Sequence, residues 1–163
     1  MAHKIIIDTD PGIDDAMAIF FALQSPELEV LGLTAVFGNG GVANTASNAV
    51  RILEAAGRGD IPVAAGANTP LVIANRSSGG SGVHGRDGLG NAGDQLPQPR
   101  GRPIDQNAAA FIVETVMANP GEVTLVPIGP LTNIALAMRL EPAIVEAVKG
   151  VSLMGGSAFA GGN

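Results

Sequence analysis

The chain has 163 residues, 46% apolar and 15% charged, enough for one domain with a packed core or part of a larger one, and unlike a disordered polymer. A net charge of −6, a pI near 4.7 and nine scattered basic residues argue against nucleic-acid and anionic-membrane partners. The absence of cysteine removes disulfides and thiolate metal sites, the absence of Trp and Tyr makes a base-stacking platform unlikely, and no apolar run reaches the roughly 20 residues of a membrane span.

Met1-Ala2-His3-Lys4 leads straight into a first strand, Lys4–Asp8, with no apolar signal region, and a cytoplasmic protein is expected. Asp14–Leu23 then reads as a helix capped by aspartates. Glu29–Phe37 is a second strand that ends in Gly38-Asn39-Gly40-Gly41. Asn44–Ala56 is a helix with Ala46, Ala49, Val50 and Leu53 on one face, stopped by Gly57. Ile61–Ala65 is a third strand. From Gly66 to about Asp105 the chain is rich in Gly, Pro, Ser and Asn without periodicity, as in an active-site flap, here placed at about 74–95. Gln106–Met117 (helix), Val123–Pro127 (strand), Leu131–Leu140 (helix), Glu141–Val148 (short helix) and Val151–Met154 (strand) follow.

Strand and helix alternate throughout, which implies right-handed βαβ units. The expected fold is α/β, a mostly parallel Rossmann-like sheet with helices on both faces. Continuous apolar strands such as Ile5-Ile6-Ile7 support burial on both sides. The last residues, Gly155–Asn163, leave a strand with no helix behind them, so the sheet is expected to be incomplete and the chain to be the N-terminal part of a longer protein.

In such sheets ligands bind beyond the carboxyl ends of the strands. There the sequence places Asp8-Thr9-Asp10-Pro11-Gly12-Ile13-Asp14-Asp15, four carboxylates in eight residues. Like charges this close repel, and a hard, oxygen-seeking cation is the usual compensation. Asn39, Ile128-Gly129-Pro130-Leu131-Thr132-Asn133 and the tail to Asn163 follow other strands and should reach the same crevice. Each has a plainer reading: aspartates cap helices, Asn39 suits a turn between glycines, and Pro130 suits a first helical turn. His84 reads as flap surface or a ligand contact. Asn107, Asn119 and Asn133 read as cap or turn residues.

Ile7-Asp8-Thr9-Asp10-Pro11-Gly12-Ile13-Asp14-Asp15-Ala16 closely resembles the N-terminal signature of the nucleoside hydrolases, the inosine–uridine-preferring N-ribohydrolases. Val36-Phe37-Gly38-Asn39, Asn44 to Ala49, Asp60-Ile61-Pro62-Val63, His84-Gly85-Arg86-Asp87-Gly88-Leu89-Gly90, Gly129-Pro130-Leu131-Thr132-Asn133-Ile134-Ala135 and Met154-Gly155-Gly156 resemble later family segments in the same order. The resemblance implies one nucleoside hydrolase domain, of which residues 1–163 form the N-terminal part. It implies Ca²⁺ held by Asp10, Asp15 and the main-chain carbonyl of Ile128, with Asp10 as general base on a Ca²⁺-bound water. Asp14, Asn39 and Asn163 would hold ribose hydroxyls, His84 would lie near the ligand, and Asp8 would orient the site.

The implied activity is Ca²⁺-dependent hydrolysis of the N-glycosidic bond of a ribonucleoside, a small-molecule substrate, by a homodimer or homotetramer. Family chains continue further and supply another Glu and Asn, then a His–Asp pair. None is present in these 163 residues, so the chain by itself is expected to lack normal activity. Two other readings stand beside this one: a nucleoside- or ribose-binding or assembly module without catalysis, and a Mg²⁺ phosphohydrolase built on Asp8-Thr9-Asp10. An EF-hand fits poorly, since its loop lies between two helices.

Overall fold

Ile5, Ile6 and Ile7 decide how the chain folds. Alternate side chains of a strand point to opposite faces, so three apolar residues in a row require cover on both sides. The computed structural model describes residues 2–72, 83–96 and 98–160. Strand β1 (His3–Thr9) lies at the centre of a parallel five-stranded sheet. Ile5 and Ile7 enter one core with Ile19 and Ala22 of helix α1 (Ile13–Gln24) and Ala49, Val50 and Leu53 of α2 (Val42–Ala55). Ile6 enters a second core with Ile112 and Val116 of α3 (Ala108–Ala118), Ile134 and Ala137 of α4 (Thr132–Leu140) and Ile144 of α5 (Ile144–Ala147). The expected α/β sheet with helices on both faces is therefore present.

The remaining strands are β2 (Leu28–Ala35), β3 (Val63–Ala65), β4 (Val123–Pro127) and β5 (Gly150–Val151), in the spatial order β3-β2-β1-β4-β5. The chain steps outward from β1 to β3 and then returns to the other side of β1 for β4 and β5. This reversal opens a crevice between the carboxyl ends of β1 and β4, where open α/β sheets bind ligands. No helix among the described residues is long and apolar enough to cross a membrane.

Several boundaries differ from the sequence reading for local reasons. β3 starts two residues late because Pro62 has no N–H for the ladder, although its carbonyl still accepts from Leu33 N–H. β5 is only two residues long, yet Ser152 N–H and Met154 N–H still reach the Leu125 and Pro127 carbonyls, so the backbone follows β4 to its end. The cap of α1 is Gly12, not an aspartate; Asp14 and Asp15 lie inside the first turn. Asn107 does cap α3, its side chain accepting from Ala109 N–H. Of the flap placed at about 74–95, residues 74–82 lie outside the described part.

β2 carries a bulge, where the pairing steps from Ile5–Val30 to Ile6–Gly32. A Cβ on Gly32 would fall on the ring of Phe111 from α3. Gly32→Ala is expected to cost about 1–3 kcal/mol through overpacking, and Phe111→Leu in the same chain should recover part of it. Urea unfolding checks this; an unshifted midpoint for Gly32→Ala would show that the close approach is not real.

Candidate functional site

The carboxyl end of β1 turns sharply into α1, and the turn is built from aspartates facing different ways. Asp8 is buried, and its Oδ1 accepts hydrogen bonds from Thr34 Oγ1 (2.5 Å) and Asn133 Nδ2 (2.8 Å). Its Oδ2 is buried with no partner among the described residues. Burial pushes the Asp8 carboxyl up to about 6, partly offset by the Thr34 and Asn133 bonds. Asp15 is fixed on both oxygens: Thr9 Oγ1 donates to Oδ1 (2.6 Å) and Gly12 N–H to Oδ2 (3.0 Å).

Asp10 sits between these two, buried and held by the loop after β2. Asn39 N–H donates to its Oδ2 (2.7 Å), and Asn39 Nδ2 donates to its carbonyl (3.0 Å). Among the other described residues only Asn39 donates to this carboxylate, at Oδ2. Burial pushes Asp10 up to about 7; the Asn39 N–H pulls it down, and the charges of Asp15 and Asp14 push it further up. Two glycines make room for this carboxylate. A Cβ on Gly38 would overlap Asp10 Oδ2, and one on Gly129 would stand 2.6 Å from Oδ1.

Gly12 is equally constrained, because a Cβ there would lie 2.8 Å from Asn39 Nδ2, 2.9 Å from His84 Nδ1 and 3.0 Å from Asp14 Oδ1. His84 crosses over the start of α1. Its Nδ1 accepts from Ile13 N–H (3.3 Å), which leaves Nε2 as the protonated nitrogen of a neutral ring, and lies 3.7 Å from Asp14 Oδ1. The Asp14 side chain is 66% exposed. Asp10, Asp14, Asp15, Asn39, His84, Ile128, Gly129, Pro130 and Met154 line one cavity of about 300 Å³ at the reversal of strand order. A larger cavity of about 500 Å³ beside the end of α2 holds none of the residues expected in the site.

Residues 5–163 match the model of the family described as inosine-uridine preferring nucleoside hydrolase. The chain belongs to this family. It is 49% identical over 160 residues to a probable uridine nucleosidase 2 of Arabidopsis thaliana, covering 98% of this chain and 49% of that protein. It is 45% identical over 162 residues to an inosine-uridine preferring nucleoside hydrolase of Leishmania major, covering 99% and 51%. A solved plant nucleoside hydrolase superposes with a TM-score of 0.90 at 46% identity, covering 96% of this chain and 49% of that one. The chain thus spans about half the length of these nucleoside hydrolase relatives.

Six of the seven expected site residues of this nucleoside hydrolase chain, namely Asp10, Asp14, Asp15, Asn39, His84 and Ile128, line the same cavity. Asn163 lies outside the described residues. Asn133 differs from its reading as a cap or turn residue. It is fully buried, and its carboxamide joins Asp8 Oδ1, the Ala35 carbonyl (3.1 Å) and Ala67 N–H (2.9 Å). Thr9 and Thr34 were not singled out in the sequence either. A strand threonine gives no local sign that its hydroxyl meets a carboxylate, whether across the sheet, as Thr34 meets Asp8, or at the following turn, as Thr9 meets Asp15. For Asn133 a signal existed, since an amide at a fixed distance behind Gly129-Pro130 lies opposite the end of β1 once β4 is paired there.

Among the described residues no group of three or more His, Cys, Asp or Glu side chains is arranged to hold a metal. The cavity offers the carboxylates of Asp10, Asp14 and Asp15 beside the main chain of Ile128 and Gly129 instead. These donors are oxygens and carry negative charge, no other described residue donates to Asp10 Oδ1, and burial raises the Asp10 proton affinity. These features fit a hard divalent cation such as Ca²⁺, which takes further oxygens from water or ligand.

Proposed function

We propose that this chain forms the cation- and ribose-binding half of a Ca²⁺-dependent ribonucleoside N-glycosyl hydrolase. One observation carries the reading: Asp10, buried beside Asp15 in the switch-point cavity, has an oxygen, Oδ1, to which no other described residue donates. Asp10, Asp15 and the Ile128 carbonyl would hold Ca²⁺. When bound there, Ca²⁺ acidifies water and fixes ribose hydroxyls. Asp10 takes the proton of the water that attacks C1′, acting as the positioned general base. The C1′–N bond breaks with its electron pair leaving on the base, through an oxocarbenium-like ribosyl centre that nearby carboxylates stabilise. Asp14 and Asn39 bind ribose hydroxyls, Asn163 is assigned a further one, and His84 borders the space left for the base.

The substrate proposed is a small ribonucleoside, in line with the relatives named as uridine nucleosidases and as an inosine-uridine preferring hydrolase. Residues 1–163 are proposed as the N-terminal part of one such domain, in a cytoplasmic homodimer or homotetramer. Exposed Met17 and Phe21 on α1 supply apolar surface for such contacts, and light scattering reads the assembly.

The deciding experiment uses the protein as its gene encodes it, incubated with inosine and uridine before and after removal of divalent ions by a chelator. Ribose release that disappears on chelation and returns with Ca²⁺ supports the proposal. Hydrolysis indifferent to chelation removes the cation from it. Calorimetric binding of Ca²⁺ and ribose without turnover favours the binding-module reading instead. Release of phosphate from a phosphate ester under Mg²⁺ favours the phosphohydrolase.

A further inference from the structure

The segment between β4 and α4 carries Ile128 into the cavity, and a single residue of β1 holds it at both ends. The Asp8 carbonyl accepts from Ile128 N–H (2.8 Å) and Gly129 N–H (3.2 Å). The Asp8 carboxylate accepts from Asn133 Nδ2 (2.8 Å). The same amide group also donates to the Ala35 carbonyl at the end of β2 (3.1 Å), while Asn133 Oδ1 accepts from Ala67 N–H beyond β3 (2.9 Å). One fully buried carboxamide therefore ties the start of α4 to the exits of three strands.

Two features make this more than an ordinary helix start. Gly66 has no space for a side chain, since a Cβ there would overlap the Asn133 carboxamide. The chain thus keeps a backbone vacancy for this group. Asn133 also lies in the first turn of α4, yet its side chain caps nothing in that helix. Both hydrogens of its amide and an oxygen lone pair are spent on other elements. A buried polar network satisfied in this way specifies one arrangement of its parts.

We propose that Asn133 is a positioning residue, whose carboxamide clamps the loop Ile128–Asn133 against the Asp10 end of β1 and so sets the Ile128 main chain opposite the Asp10 carboxylate. The cation clause of this proposal rests on the reading of Asp10 and Ile128 as Ca²⁺ ligands. The clamp itself does not.

The test has two readouts and a matched control. Asn133→Ala deletes the carboxamide, and Gly66→Ala displaces it while leaving Asn133 in the chain. Val116→Ala serves as control, because Val116 is buried in α3 near Asn119, which accepts from Lys4 Nζ at the opposite end of β1. Amide hydrogen exchange at Ile128 and Gly129, compared with that control at equal global stability, reads the clamp without any cation. Both site variants should exchange there at least about tenfold faster than the control, and bind Ca²⁺ about 10–100-fold more weakly, as when the partners orienting a metal ligand are lost. Exchange equal to that of the control overturns the proposal. So does undiminished Ca²⁺ affinity in the variants when the wild type binds the ion. Faster exchange together with a wild type that binds no Ca²⁺ upholds the clamp and overturns the cation reading instead.

Discussion

Asp10→Asn should lower kcat for ribonucleoside hydrolysis by roughly 10²–10⁴, the range set by loss of a positioned general base, while leaving the fold intact. The two expectations come from the same geometry. Asparagine matches aspartate in shape, and its oxygen can still accept from Asn39 N–H, which now reaches Oδ2 at 2.7 Å. Its amide would occupy the position of Oδ1, the oxygen to which no other described residue donates, and an amide neither accepts a proton nor binds a hard cation well. Burial, with a smaller push from the charges of Asp15 and Asp14, raises the proton affinity of the wild-type carboxylate to about 7. Neutralising it relieves that repulsion, so the variant should unfold no earlier than the wild type. The measurements are steady-state rates with inosine and uridine on the protein as its gene encodes it, Ca²⁺ titration, and thermal unfolding in chelator. A variant that keeps its kcat to within tenfold would exclude Asp10 as the base. One that loses activity only by unfolding would leave Asp10 a structural group.

How much of this site the sequence discloses depends on how each residue reaches it. The strand–turn–helix around Asp10 and Asp15 is local, so apolar Ile5–Ile7 followed by clustered aspartates and Pro11-Gly12 suffice to place it. Asn39 and Ile128 follow other strands of a parallel sheet, and topology brings all carboxyl ends to one edge. The supporting groups are different. Thr34 and Asn133 reach Asp8 from other elements, and these pairings depend on the registers Asp8–Thr34 and Asp8–Pro127, whereas Thr9 reaches Asp15 within the β1–α1 turn through a side-chain direction that no pattern announces. No periodicity reveals a register, so a buried Asn in a first helical turn reads in the sequence as a cap. The same limit explains β3 and β5, whose lengths are set by Pro62 and by the pairing with β4 rather than by apolar runs. Asp8 is an intermediate case. Its position at the end of β1 is legible, but that one of its oxygens is buried without a partner among the described residues is not.

That lone oxygen gives Asp8→Asn a distinctive pH signature. Burial raises the Asp8 carboxyl from 3.8 to about 6, so the folded chain holds this proton more tightly than the unfolded chain does. Between about pH 4 and 6 the unfolded state releases the proton while the folded state keeps it. Stability therefore falls as pH rises through that window and levels off above it. The distance from 3.8 to about 6 corresponds to about 3 kcal/mol. Asn at position 8 can still accept from Thr34 Oγ1 and Asn133 Nδ2, and it carries no charge to be desolvated. Its second group becomes an unpaired N–H in place of an unpaired oxygen, a cost that does not change with pH. The difference in unfolding free energy between variant and wild type should thus shift by about 3 kcal/mol in favour of Asn between pH 4 and pH 7. Asp10 also titrates near this range, but it is present in both proteins and cancels in the difference. Urea unfolding in chelator at the two pH values measures it. A difference independent of pH would mean that Asp8 is solvated or paired when ionised, and the pressure on this carboxylate would have to be sought elsewhere.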